Sequence, residues 1–144
     1  KELFLHAIDS VEIPQVKMKY SFIVRQEHID KYDIDKGIKT ILPHANIFAV
    51  QKTTRGAVET CLMAHKAIGD EDAILVMDCD LEFRSQGFNT LIKEILSKPV
   101  EEVDGGALVS FDSNDPKYSY AGDKLSCSLW CLLLLICTFV SLCS

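Results

Sequence analysis

At 144 residues, of which 48% are hydrophobic, the chain has the length of one ordinary domain and enough apolar side chains for a core. A formal charge of −6 and a pI near 5.1, with no cluster of lysine and arginine, argue against nucleic acid as the main partner, because a phosphate backbone attracts concentrated positive charge. A nucleotide is not excluded, since a metal ion and a few backbone amides neutralise its phosphates locally.

The opening stretch KELFLHAIDS sets Leu3, Phe4, Ala7 and Ile8 at helical spacing. It predicts an amphipathic helix already under way at Lys1, with the start of the protein missing. It has no basic segment followed by a long apolar run of the signal-peptide kind. KYSFIV (Lys19 to Val24) predicts a strand, and EHIDKYDIDKGIKTIL (Glu27 to Leu42) a charged helix. ANIFAV (Ala45 to Val50) predicts a second strand. In TTRGAVETCLMAHKAIG (Thr53 to Gly69), Val58, Cys61, Leu62, Met63 and Ile68 fall largely on one helical face, and Gly69 ends the helix.

AILVMDCDLEF (Ala73 to Phe83) runs from hydrocarbon into two carboxylates. Five uncharged residues rich in branched side chains suit a strand covered on both faces, and so an α/β protein. Ligands of such sheets bind beyond the carboxyl ends of the strands, where Asp78 and Asp80 fall. Alternate strand residues share a face, so the pair is placed to converge on a hard cation, Mg2+ or Mn2+, that keeps positions open for phosphate oxygens. The plainer alternative is that one aspartate caps the next segment and the other is solvated. FNTLIKEILS (Phe88 to Ser97) predicts another amphipathic helix, and GGALVSF (Gly105 to Phe111) another strand. Strands and helices alternate, so the expected fold is a three-layer α/β sandwich with a mostly parallel, Rossmann-like sheet. Its strands are Ser21–Val24, Ile47–Val50, Ile74–Met77 and Ala107–Ser110.

The order TTRGAVET, AILVMDCDLEF, DGGALVSFDSNDPKYSYA resembles the middle of a sugar nucleotidyltransferase, the nucleotide-diphospho-sugar pyrophosphorylases that join a nucleoside triphosphate to a sugar 1-phosphate. The likeness covers roughly residues 20–121. It implies that Gly56 lets the loop lie beside the nucleobase and that Glu59 stands where many members use a glutamine on the base. It also implies that Asp80 is the principal magnesium ligand, with Asp78 assisting. Ser119 and Tyr120 fall near the sugar-contacting turn, without the usual tyrosine-glycine pair. The family's opening strand and glycine-rich, basic phosphate loop have no counterpart here, nor has its later segment with a second metal-binding aspartate and a lysine. The expectation is a truncated domain at 1–121 with weak nucleotide affinity and no pyrophosphorylase turnover. Two other classes stay open: an A-type glycosyltransferase holding a sugar nucleotide through a DxD metal site, and a non-catalytic remnant.

Residues 122–144 are of another character. No charge occurs from Leu125 to Ser144, and Cys127, Cys131, Cys137 and Cys143 lie there. As a helix rising about 1.5 Å per residue, this stretch matches a hydrocarbon core of about 30 Å. The alternatives are a tail anchor on an otherwise cytoplasmic protein, or a segment foreign to the fold, such as translated intron. The cysteines lack zinc-site spacing, and Cys61 and Cys79, on apolar stretches, are expected to be buried thiols. The four histidines are scattered, and none adjoins Asp78 or Asp80.

Overall fold

A computed structural model describes residues 2–69, 72–99, 102 and 137–143. Its elements are α1 (Leu3–Val11), β1 (Lys17–Arg25), α2 (Gln26–Tyr32), α3 (Ile34–Ile41), β2 (Asn46–Val50), α4 (Ala57–Leu62), a 3-10 turn (His65–Ala67), β3 (Ala73–Asp78), α5 (Phe88–Ser97) and β4 (Cys137–Cys143). The chain is a mixed α/β protein with a four-stranded, partly parallel sheet in the order β2-β1-β4-β3.

β1 pairs in parallel with β2, Phe22 opposite Ile47 and Val24 opposite Ala49. Its other edge pairs antiparallel with β4, Tyr20 opposite Val140 and Ile23 opposite Cys137. β4 in turn pairs antiparallel with β3, Leu75 opposite Val140 and Asp78 opposite Cys137. β1, β2 and β3 therefore run the same way, and β4 alone runs against them.

Alternation along β1 separates two sets of contacts. Phe22 and Val24 are buried with Ile8, Ile38 and Ala45. Ile23 is buried with Ala64, against Phe48, Val50, Cys61, Met63 and Ile68. A further cluster joins Ala7, Val11 and Ile13 to Met77 and Phe88, with Leu75 and Phe83 packed on it. α1 thus covers both β1 and β3, and α5 covers β3.

Three sequence expectations change. The helix expected over Glu27–Leu42 is two helices, because Asp33 sits at φ +50° in the left-handed region, which a short polar side chain tolerates. The helix expected over Thr53–Gly69 ends at Leu62. Beyond it, Ala64 and Ala67 bond back only three residues, to Cys61 and Ala64, and the His65 ring nitrogen Nδ1 lies 2.8 Å from the Leu62 carbonyl. Cys61, Met63 and Ile68 face the core as expected, whereas Val58 and Leu62 are exposed. β3 was expected to be buried on both faces. Only Leu75 and Met77 pack inward, and Ile74 and Val76 remain 48% and 40% exposed.

The largest difference is β4. Its residues belong to the apolar tail that the sequence suggests as an anchor or a foreign segment, yet they complete the middle of the sheet. Among the described residues no helix is long and apolar enough to cross a membrane. The expected strand Ala107–Ser110 lies outside the described residues.

Because β4 is bonded on both edges, a proline within it removes a ladder donor and distorts both pairings. Val140→Pro is expected to destabilise the chain at least as much as Phe22→Ala, about 3–5 kcal/mol for a fully buried phenylalanine. Urea denaturation followed by circular dichroism checks this; a midpoint equal to that of the parent would remove β4 from the cooperative fold.

Candidate functional site

Since β1, β2 and β3 point the same way, the loop after β2 and the turn after β3 lie at one end of the sheet. Three interstrand steps of about 4.8 Å set β2 and β3 about 14 Å apart. The β2 loop carries Gly56, and the β3 end carries Asp78 and Asp80.

Asp78 is the last residue of β3. Its side chain alternates with Met77 and so shares the face of Ile74 and Val76. One carboxylate oxygen, Oδ1, is buried and has no hydrogen-bond partner; the only other such atom among the described residues is Oδ1 of Asp35. Burial raises the Asp78 pKa above the usual carboxylate range, and the nearby Asp80 charge raises it further. Asp80 is exposed and lies in the turn closed by the Leu81 N–H on the Asp78 carbonyl at 3.3 Å. The strand rule that sets i and i+2 on one face stops at Asp78, and Asp80 stands in the turn beyond it, near enough for its charge to act on Asp78. The resemblance gives Asp80 the principal role, but Asp78 is the one with an unsatisfied oxygen. Between them, burial first and then the two carboxylates push the Cys79 thiol up to about 11. Cys79 is therefore a protonated, unreactive thiol at neutral pH.

An orphaned carboxylate oxygen beside a second carboxylate fits a hard divalent cation, and such a cation offsets the charge repulsion between the pair. No third histidine, cysteine, aspartate or glutamate completes a metal-binding group among the described residues. Bound here, a cation would rest on these two aspartates, with phosphate oxygens and water filling its other positions.

Gly56 precedes α4 at φ 157° and ψ −172°, a region open almost only to glycine. A side chain there would meet no atom within 4 Å, so the glycine serves backbone conformation rather than space. The loop is pinned by short-range bonds. Thr54 Oγ1 lies 2.6 Å from Thr60 Oγ1, and Thr60 Oγ1 donates to the Gly56 carbonyl at 3.2 Å. Glu59 Oε2 accepts the Arg55 backbone N–H at 2.5 Å and Arg55 Nε at 3.4 Å. The backbone bond is the main reason that the Glu59 pKa is lowered. The carboxylate expected on a nucleobase is thus engaged with its own loop. Ser119 and Tyr120 lie outside the described residues.

A cleft of about 360 Å³ opens elsewhere, between α1 and the connection from β3 to α5. It was not legible in the sequence, although His6 and Asp9 stand one helical turn apart. His6 Nδ1 lies 3.8 Å from Glu82 Oε2, and Arg84 lies 3.7 Å from Glu82 Oε1. Asp9, Glu12 and Glu82 share its wall with His6 and Arg84, so its acidic side chains outnumber its basic ones, and Asp78 and Gly56 do not line it.

Two outcomes follow. Asp78 has a raised folded-state pKa, so its stabilising effect is full below the unfolded value of about 3.9 and is lost as pH rises through the folded value. Asp78→Asn should therefore raise the thermal midpoint relative to the parent at pH 7 in EDTA and leave it unchanged at pH 3; an equal difference at both pH values would refute the assignment. Gly56→Ala should cost about 1–3 kcal/mol by forcing an alanine into a glycine-only region, measured by urea denaturation, and no loss would show that the loop relaxes.

Comparison with known proteins gives no match: no protein-family model, no curated protein and no solved structure proves similar to the chain.

Proposed function

We propose that the chain is a nucleotidyltransferase-type domain of three-layer, Rossmann-like design. It takes a nucleoside triphosphate and a sugar 1-phosphate as partners, with Mg2+ or Mn2+ at Asp78 and Asp80. The observation that carries this reading is the buried, partnerless Oδ1 of Asp78, at the same sheet end as the Gly56 loop. A lone carboxylate that costs free energy in its ionised form is poorly suited to stability and well suited to a cation.

On this reading the two sides of the sheet end divide the work. The β2 loop, with its glycine backbone and no side chain at Gly56, gives a flat approach for the base. The β3 end neutralises the phosphates. A bound cation would supply charge stabilisation for a phosphorus centre under in-line attack. Ser119 and Tyr120 are assigned to the sugar by resemblance alone.

Calorimetry with magnesium, the four nucleoside triphosphates and a panel of nucleotide sugars tests the proposal. The parent is expected to bind a triphosphate in a magnesium-dependent way, and Asp78→Asn is expected to weaken binding about tenfold or more, or roughly 1.4 kcal/mol. Asp80→Asn should weaken it no more than Asp78→Asn does. Binding of nucleotide sugars without triphosphates would replace this reading with the glycosyltransferase one, and binding of neither would overturn both.

A further inference from the structure

Glu59 is committed within its own loop, which leaves the question of what that commitment holds in place. A single oxygen, Oε2, accepts both the backbone N–H and the side-chain Nε of Arg55. The residue is thereby gripped at its root and at the base of its guanidinium. The Arg55 side chain as a whole is 91% exposed. A guanidinium has five N–H donors in a rigid plane, and Nε accounts for one; the two terminal amino groups keep a fork matched to phosphate oxygens. An exposed ion pair of this spacing ordinarily adds little to stability, whereas the double grip restricts where the fork points.

Placement gives the fork something to meet. Arg55 lies in the β2 loop, with Lys52 also exposed in it. Asp78 and Asp80 lie at the same end of the sheet, beyond β1 and β4. Lys52 and Arg55 place positive charge on the β2 side, where Glu59 is paired with Arg55, and Asp78 and Asp80 place negative charge on the β3 side. A nucleotide bound with a cation carries the matching pattern, metal toward the carboxylates and free phosphate oxygens toward the cations.

We infer that Arg55 is the phosphate-contacting residue of this site and that Glu59 is its positioning residue instead of a contact to the base. The inference rests on the nucleotide-binding reading above. It assigns the phosphate charge to a residue to which the resemblance gives no role, and it gives a glutamate in place of glutamine a physical reason: only a carboxylate holds the two Arg55 donors with a full negative charge.

The test is calorimetry of the full chain with a nucleoside triphosphate and with the corresponding nucleoside, each at one saturating magnesium concentration held the same for parent and variants, so that the metal side is constant. Arg55→Gln is expected to weaken triphosphate binding about tenfold and to flatten its salt dependence, while nucleoside binding stays within about twofold. Arg55→Lys should recover part of the loss, as a charge without the planar fork. Glu59→Gln should weaken the triphosphate severalfold and spare the nucleoside. Equal triphosphate affinity in Arg55→Gln and parent overturns the inference and leaves the nucleotide reading intact. Loss of nucleoside affinity in Glu59→Gln overturns it too, because Glu59 would then be on the base. A parent that binds neither ligand refutes the nucleotide reading itself.

Discussion

Burial of β1 on both faces is the constraint from which the arrangement follows. Phe22, Ile23 and Val24 are each at most 2% exposed, and consecutive strand residues point to opposite faces. Apolar partners are therefore needed on both sides at once. α1, α3 and the turn before β2 supply one side through Ile8, Ile38 and Ala45. Ala64, after α4, supplies the other. Both edges of β1 are also bonded, to β2 and to β4. Only Ser21–Val24 are covered in this way, while Lys17, Lys19 and Arg25 on the Ile23 face stay exposed, and β2 and β3 share the direction of this strand.

That direction is what puts the candidate site together. β2 and β3 each follow a helical crossover and run with β1, so their exits meet at one end although two strands lie between them. β4 fills that interval in the opposite sense. It brings hydrogen bonds to both neighbours, and its starting residue, Cys137, reaches the site end opposite Asp78. An antiparallel strand enters at this end where a parallel one would leave, so of the two inner strands only β1 has its exit here, passing from Arg25 straight into α2 at Gln26. The loop after β2 and the turn after β3 hold Gly56, Asp78 and Asp80.

Much of this was legible in the sequence where short-range rules decide. The strands around Phe22, Phe48 and Val76 and the helix Phe88–Ser97 follow from period and composition. What escaped depends on partners far along the chain. The exposure of Ile74 and Val76 depends on one face of β3 lacking cover, which a run of branched residues does not reveal. The strand at Cys137–Cys143 lies in a continuous apolar run, a pattern equally suited to a buried strand and a membrane helix. The break at Asp33 is a local event, but aspartate in the middle of a helical pattern carries no fixed sign of it.

The site shows the same division more sharply. Asp78 and Asp80 were recognisable as a pair from their spacing, but their unequal roles were not, because inequality comes from burial. Asp78 is drawn in by the end of β3, whereas Asp80 is released by the turn that follows. For Glu59 the resemblance pointed outward, to a ligand, while physical chemistry pointed inward. A carboxylate four residues after an N–H at the start of a short helix finds that donor before any ligand arrives. Six residues of helix are too few to stand by propensity alone, so the bond that starts α4 and the ion pair that restrains Arg55 have one source. A substitution at Glu59 thus acts on helix, loop and cation together, and a ligand lacking phosphate reports on the first two without the third.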